Sequence, residues 1–280
     1  MDIMERHKNP TILECKVEGK TDALTCEDGI VVTDNFVAVI DGSTSKAKQQ
    51  IEQGVRNGRF AMLLLKDVVE NLPYDASLEH FCREATCKFQ AIYSKHGISH
   101  ERLLSNPEER LTASIALFSF HYREIWMVGD CQCLVENKFY DNPKPEEERL
   151  AKKRSAVINE MIASGKTDIP SLRKHDAGRD VIVSEIAGTC RWQNITFSVV
   201  DGFDIAMDKV KRISVDHPCD VVMSTDGYPF LHPTLAKSEK ALADLLSNDP
   251  LCIRDYMATK GKMYGQSSFD DRAYIRFHVS

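Results

Sequence analysis

No apolar run in the 280 residues approaches the roughly 20 needed to cross a bilayer as a helix, so no membrane partner is expected. The first ten residues, from Met1 to Pro10, are polar and mixed in charge and lack the apolar centre of a secretory signal. Repeats, low-complexity tracts and linkers rich in Pro, Gly or Ser are missing, and so is any appended sensor or membrane domain; the expectation is a single domain over residues 1–280. Positive charge is in deficit: the formal net charge of −6 argues against nucleic acid, which favours a basic surface. A zinc framework is missing as well. The nine cysteines are odd in number, Cys131 and Cys133 stand too close for a usual hook, and no second pair completes a four-ligand set. Most lie in apolar, strand-like runs and read as buried thiols in a reducing cytoplasm. Nothing in the sequence signals an oligomeric state.

What is present is a chain with 42% apolar and 28% charged residues, long enough for one large core or two modest ones. Apolar patterning predicts strands over 12–17, 30–33 and 36–40, then helices over 45–71 and 77–96. A second strand group follows at 113–120, 124–128 and 132–136, then a helix over 145–164, supported by the i,i+4 pair Glu148 and Lys152. Strands at 196–200 and 220–224, helices at 234–246 and 251–264, and a last strand at 273–279 complete the reading. Strand groups interleaved with helices, without strict alternation, point to an α+β fold of mostly antiparallel sheets covered by helices.

Acidic residues recur where apolar strands end. Phe36 to Ile40 runs into Asp41-Gly42, Ile125 to Val128 into Gly129-Asp130, and Val221 to Thr225 into Asp226-Gly227. Asp270-Asp271 directly precedes the last strand. One Asp-Gly alone reads as a turn, and Asp201-Gly202 is of that kind. Several together imply converging carboxylates whose repulsion is costly unless cations neutralise it. Oxygen ligands without His or Cys suit Mg²⁺ or Mn²⁺, and a glycine beside the aspartate lets a backbone carbonyl approach the ion.

The series Cys26-Glu27-Asp28, Val39-Ile40-Asp41-Gly42, Thr112-Ala113, Val128-Gly129-Asp130, Ser224-Thr225-Asp226-Gly227 and Ser268-Phe269-Asp270-Asp271 resembles, in order and spacing, the motifs of the metal-dependent Ser/Thr protein phosphatase (PPM) family. The resemblance is to a divergent, bacterial-type member. It implies a four-layer α-β-β-α sandwich, two antiparallel sheets flanked by helix pairs, with metals in a cleft at one edge. It further implies that Asp41 bridges two ions, that Gly42 contributes its carbonyl, and that Glu27 reaches one ion through water. Asp226 and Asp270 match ligands of the second ion, and Asp130 the residue that holds a possible third. The implied chemistry is attack on phosphorus by a metal-activated water, with Asp41 and Asp226 acting through it. Substrates would be phosphoserine or phosphothreonine of proteins, or a small phosphomonoester. The alternative is a catalytically quiet protein of this fold that binds a partner.

Three positions depart from the family pattern. Ala23 stands where an arginine grips phosphate, which leaves Lys20 and Lys46 as nearby cations without the bidentate fork of arginine. Ser43 replaces the His that serves as acid to the leaving alcohol, and Asp271 replaces an Asn. Ser43-Thr44-Ser45 reads as the cap of the following helix, whose amides could hold a phosphate oxygen. The charge-dense stretch 144–154 reads as a solvated helical face, His96 and His100 as a surface turn, Cys131 as a packed thiol, and Trp126 and Trp192 as core or sheet-face residues.

Overall fold

The computed structural model describes residues 10–44 and 49–280. Among the described residues, ten strands form two antiparallel five-stranded sheets. One carries β1 (Thr11–Glu18), β6 (Gln132–Val135), β7 (Lys138–Tyr140), β9 (Cys219–Ser224) and β10 (Arg272–Val279), in the order β1-β10-β9-β6-β7. The other carries β2 (Asp28–Val32), β3 (Phe36–Gly42), β4 (Ala113–Ser119), β5 (Glu124–Val128) and β8 (Lys211–Ser214), in the order β2-β3-β4-β5-β8.

Residues on opposite faces of each central strand serve two cores, as the two-residue period of a strand requires. Val37, Val39, Phe118 and Met127 meet Met223, Ile275 and Phe277 between the sheets. The alternate residues Ala38, Ile40, Leu117 and Trp126 meet α1 (Asn57–Glu70) and α2 (Leu78–Lys95) on the outside. On the far face of the other sheet, Leu134, Val222 and Tyr274 pack against Leu242 and Leu246 of α7 (Leu235–Asn248). The result is the expected α+β layering of helix, sheet, sheet and helix. Helix α2 starts on Ser77, whose side chain accepts the His80 N–H, and carries Glu79 in its first turn and Lys95 in its last, as the helix dipole favours. Among the described residues no helix is long and apolar enough to cross a membrane.

Between β7 and β8 lie α4 (Pro145–Ala163), the short α5 (Ile169–Leu172) and α6 (Ala177–Thr189); the short α3 (His100–Ser105) precedes β4. Arg154 of α4, with no exposed side-chain surface, anchors this insert. It forms a forked pair with Asp176, with Nη2–Oδ2 at 2.7 Å, and donates through Nη1 to the carbonyls of Leu251 and Ala258, each at 2.9 Å.

Several expectations are corrected. The first helix starts at Asn57, not at 45: Gly54 has φ +79°, and the Asn57 side chain ties back to the 49–51 backbone, so the chain turns before the helix begins. The N-cap of this helix is Arg56, not Ser43 or Thr44, while Ser45 and Lys46 lie outside the described residues. Residues 196–200 make only isolated bridges, because Asn194 Oδ1 takes the Val199 N–H that a strand would offer to a neighbour. Residues 251–264 are irregular rather than helical. Asp249 accepts the N–H groups of Ile253, Arg254 and Asp255, Arg154 donates to the carbonyls of Leu251, Cys252 and Ala258, and Cys252 has φ +52°. The 144–154 stretch is solvated at Glu148 and Lys152 but not at Arg154. Trp126 is core as expected, whereas Trp192 is 43% exposed in a short 3-10 turn; Cys131 is packed, and Cys15 and Cys87 are exposed. Asp201 is buried in a turn, paired to Arg110 at 3.0 Å.

Arg154→Leu should destabilise the fold by about 3–5 kcal/mol, because it leaves Asp176 buried without its partner. Urea denaturation followed by circular dichroism measures this, and a change below about 1 kcal/mol would contradict it.

Candidate metal centre

The pairing of β2 with β3 sets Asp28 directly opposite Asp41. Like charges facing each other across a ladder are destabilising, and Asp28 is buried, with no hydrogen-bond partner on Oδ2 among the described residues. On its other side Asp41 pairs with Ser114 of β4. The Ser114 hydroxyl donates to Asp130 Oδ1 at 2.6 Å, which brings the end of β5 into the group. Thr225 N–H donates to the Ala273 carbonyl at 3.1 Å, which aligns Asp226 after β9 with Asp270 and Asp271 before β10. Carboxylate oxygens of Asp41, Asp130 and Asp226 all lie within 4.8 Å of one another.

Two glycines make this approach possible. A Cβ on Gly42 would stand 2.0 Å from the Gly58 carbonyl oxygen and 2.8 Å from that of Glu27. Gly129 has φ +87°, and a Cβ there would stand 2.2 Å from Ser114 Oγ. Any side chain at either position would push the strand ends apart.

Burial, and then neighbouring carboxylates, raise the pKa of Asp28 and of Asp226 well above the usual range. The same causes, Asp130 first among the neighbours, push Asp41 up to about 7. Asp130 and Asp270 go the other way. Burial works against their ionisation, but the Lys144 ammonium, 2.6 Å from Asp130 Oδ2, holds Asp130 below the ordinary value. Lys260 and Lys20 likewise outweigh burial and lower Asp270 to about 2; Lys260 pairs with Oδ2, and Lys20 Nζ lies 3.1 Å from Oδ1.

Glu27, Asp41, Gly42, Ser43, Asp226 and Asp270 line one cleft, as their shared place in the motif series anticipates. Glu27 is buried and accepts the Thr44 hydroxyl at 2.6 Å. Lys20 sits on Asp270 and on Asp271, at 3.2 Å from the latter, and does not line the cleft. Asp28, Lys144, Glu147, Arg179 and Lys260 also belong to the centre and were not foreseen as functional. Asp28 stands inside a motif already quoted. The other four come from the 144–189 insert and the 249–262 segment, whose fold no local pattern discloses.

All the carboxylates here offer hard oxygen donors, and the unpartnered Asp28 Oδ2 and the mutual repulsion leave negative charge in excess. Mg²⁺ or Mn²⁺ fits this donor set.

No family model matches the chain, and no curated protein matches it. Among solved structures, it is similar to the catalytic domain of the serine/threonine protein phosphatase PstP in complex with 2 manganese ions, at 11% identity and a TM-score of 0.49, over 96% of this chain and 99% of that one. It is also similar to the serine/threonine phosphatase Stp1 from Staphylococcus aureus, at 14% identity and a TM-score of 0.47, over 99% and 100%. A third is the PPM Ser-Thr phosphatase MsPP from Mycobacterium smegmatis in complex with cacodylate, at 9% identity and a TM-score of 0.46, over 96% and 100%. At these identities and scores the likeness decides nothing about the cleft, whose chemistry is read from its own residues.

Raised carboxylate pKa values make the metal-free fold less stable as pH rises. The stability carried by a protonated Asp41 is complete below about pH 4 and is lost as pH passes through about 7. Asp270, lowered to about 2, acts in the opposite sense but at a pH well below that window. In chelator the melting temperature should therefore fall by at least about 3 °C between pH 5.5 and pH 8, and Mn²⁺ at pH 8 should restore it. A melting temperature that rises over this range in chelator would sink the repulsion argument.

Proposed function

We propose that this chain is a metal-dependent phosphatase that hydrolyses phosphate monoesters, either phosphoserine and phosphothreonine of proteins or a small phosphomonoester, in a reducing cytoplasm. One observation carries the reading: Asp41, Asp130 and Asp226 converge to within 4.8 Å beside the buried Asp28, whose Oδ2 has no hydrogen-bond partner among the described residues. Asp41 and Asp226 would hold two Mg²⁺ or Mn²⁺ ions, with Glu27, Asp28, the Gly42 carbonyl and Asp270 completing the oxygen set. Divalent ions there would lower the pKa of a water and neutralise charge gathering on the phosphoryl oxygens.

The chain's own cations do the rest of the binding. Lys260 and Arg179 line the same cleft, on the insert side, where their N–H groups meet an incoming phosphate dianion. They take over the task that Ala23 cannot perform. Overall, water replaces the alcohol on phosphorus, yielding the free alcohol and inorganic phosphate. Ser43 lines the cleft next to Gly42, and its hydroxyl is a poor acid for the departing alkoxide.

The first test is hydrolysis of p-nitrophenyl phosphate with Mn²⁺, with Mg²⁺ and with chelator. Turnover should require metal, and Asp41→Asn and Asp226→Asn should each lower kcat/KM on the order of 100-fold or more. Mn²⁺ binding without turnover would instead make the chain a binding module of this fold. Leaving-group dependence gives a second test. With no strong general acid at position 43, the nitrophenyl ester should outpace a simple alkyl phosphate, and Ser43→His should raise alkyl phosphate turnover by about 100-fold. Equal rates for the two esters in the unmodified protein would show that another group delivers the proton.

A further inference from the structure

Lys144 occupies an unusual place. It is the N-cap residue of α4, with Pro145 following and Glu146, Glu147 and Glu148 in the first turn. Helix N-termini favour anions, and good N-caps carry a short side chain that accepts a backbone N–H. A lysine does neither, and no side-chain cap bond is present here. Its ammonium instead reaches Asp130 Oδ2 at 2.6 Å, and the side chain is only 24% exposed. Asp130 Oδ1 already accepts the Ser114 hydroxyl, also at 2.6 Å. Both oxygens of one member of the converging triad are therefore engaged by groups of the protein itself.

We propose that the Lys144 ammonium is a resident cation of the centre. It stands on Asp130 in place of an additional divalent ion, so the chain closes at two ions rather than the three that its motif series allows. This rests on the metal-centre reading given under Proposed function. Charge supports it. Among the described residues, nine carboxylates stand around the centre, Glu27, Glu146, Glu147 and the six aspartates named above, against the four cations Lys20, Lys144, Lys260 and Arg179. Carboxylates outnumber these cations, and an ammonium held on Asp130 supplies there the positive charge that a further ion would otherwise bring. Asp28, whose Oδ2 has no hydrogen-bond partner among the described residues, is paired by strand register with Asp41, whereas the Lys144 ammonium bonds Asp130.

The test counts Mn²⁺ per chain at saturation, by equilibrium dialysis and elemental analysis of the full chain. Wild type should hold about two ions, Lys144→Met about three, and Lys144→Arg about two. Asp130→Asn, with Lys144 intact, should leave the wild-type count unchanged and does not depend on how well the Lys144 variants fold. Equal counts in wild type and folded Lys144→Met, or loss of one ion in Asp130→Asn, would overturn the proposal and leave the metal-dependent reading standing. No ion in wild type but one in Lys144→Met would support the resident lysine while removing the metal-dependent reading. No ion in any of the proteins would end both.

Discussion

Repulsion among carboxylates is the constraint around which this molecule is arranged. The register of β2 against β3 sets Asp28 opposite Asp41, and strand ends from both sheets add Asp130, Asp226 and Asp270. In a partly buried cleft such a group cannot stay fully ionised without compensating charge. Some is supplied from within the chain, by Lys144 on Asp130 and by Lys20 and Lys260 on Asp270. Among the described residues no lysine is bonded to Asp28, Asp41 or Asp226 in this way, and their raised pKa values follow from burial and neighbouring carboxylates. The lysines thus divide the centre into carboxylates already satisfied and carboxylates that await a cation.

That division depends on segments far from the sheets' core. Lys144 precedes α4, Arg179 lies on α6, and Lys260 lies on the irregular stretch after α7. Arg154 holds all three regions in one arrangement by pairing with Asp176 at the start of α6 and taking carbonyls from 251 and 258. A buried arginine of this kind is weak evidence of extra stability, since its desolvation offsets much of the attraction. Its consequence here is positional: it presents cations to one wall of a cleft whose opposite wall is the sheet edge. The helices under that edge, α1 and α2, contribute apolar packing.

The central strands, α2, α4 and α7 were legible in the sequence because each follows a simple period and ends on recognisable residues; Ser77 at the head of α2 is one example. The aspartates at strand ends were legible for the same reason, since an apolar run that stops at Asp-Gly announces both the strand and its end. Where prediction failed, side chains had displaced the backbone's usual partners. Asn194 took an N–H from 196–200, and Asp249 with Arg154 took the backbone of 251–264. Composition and period carry no trace of such bonds. Helix α6 was missed because only Gly178 and Ile182 are buried along it, which leaves almost no apolar stripe to detect.

By itself, then, the sequence determined mostly antiparallel sheets covered by helices and the acidic strand ends, because strand period and turn chemistry act between neighbours in the chain; the two-sheet layering was implied only by the motif resemblance. Only the tertiary structure decided which charges meet. Asp28 faces Asp41 through strand register, and Lys144 meets Asp130 because the insert folds back over the sheet edge. Coulomb interaction depends on distance in space, and no local pattern encodes the distance between residues so placed.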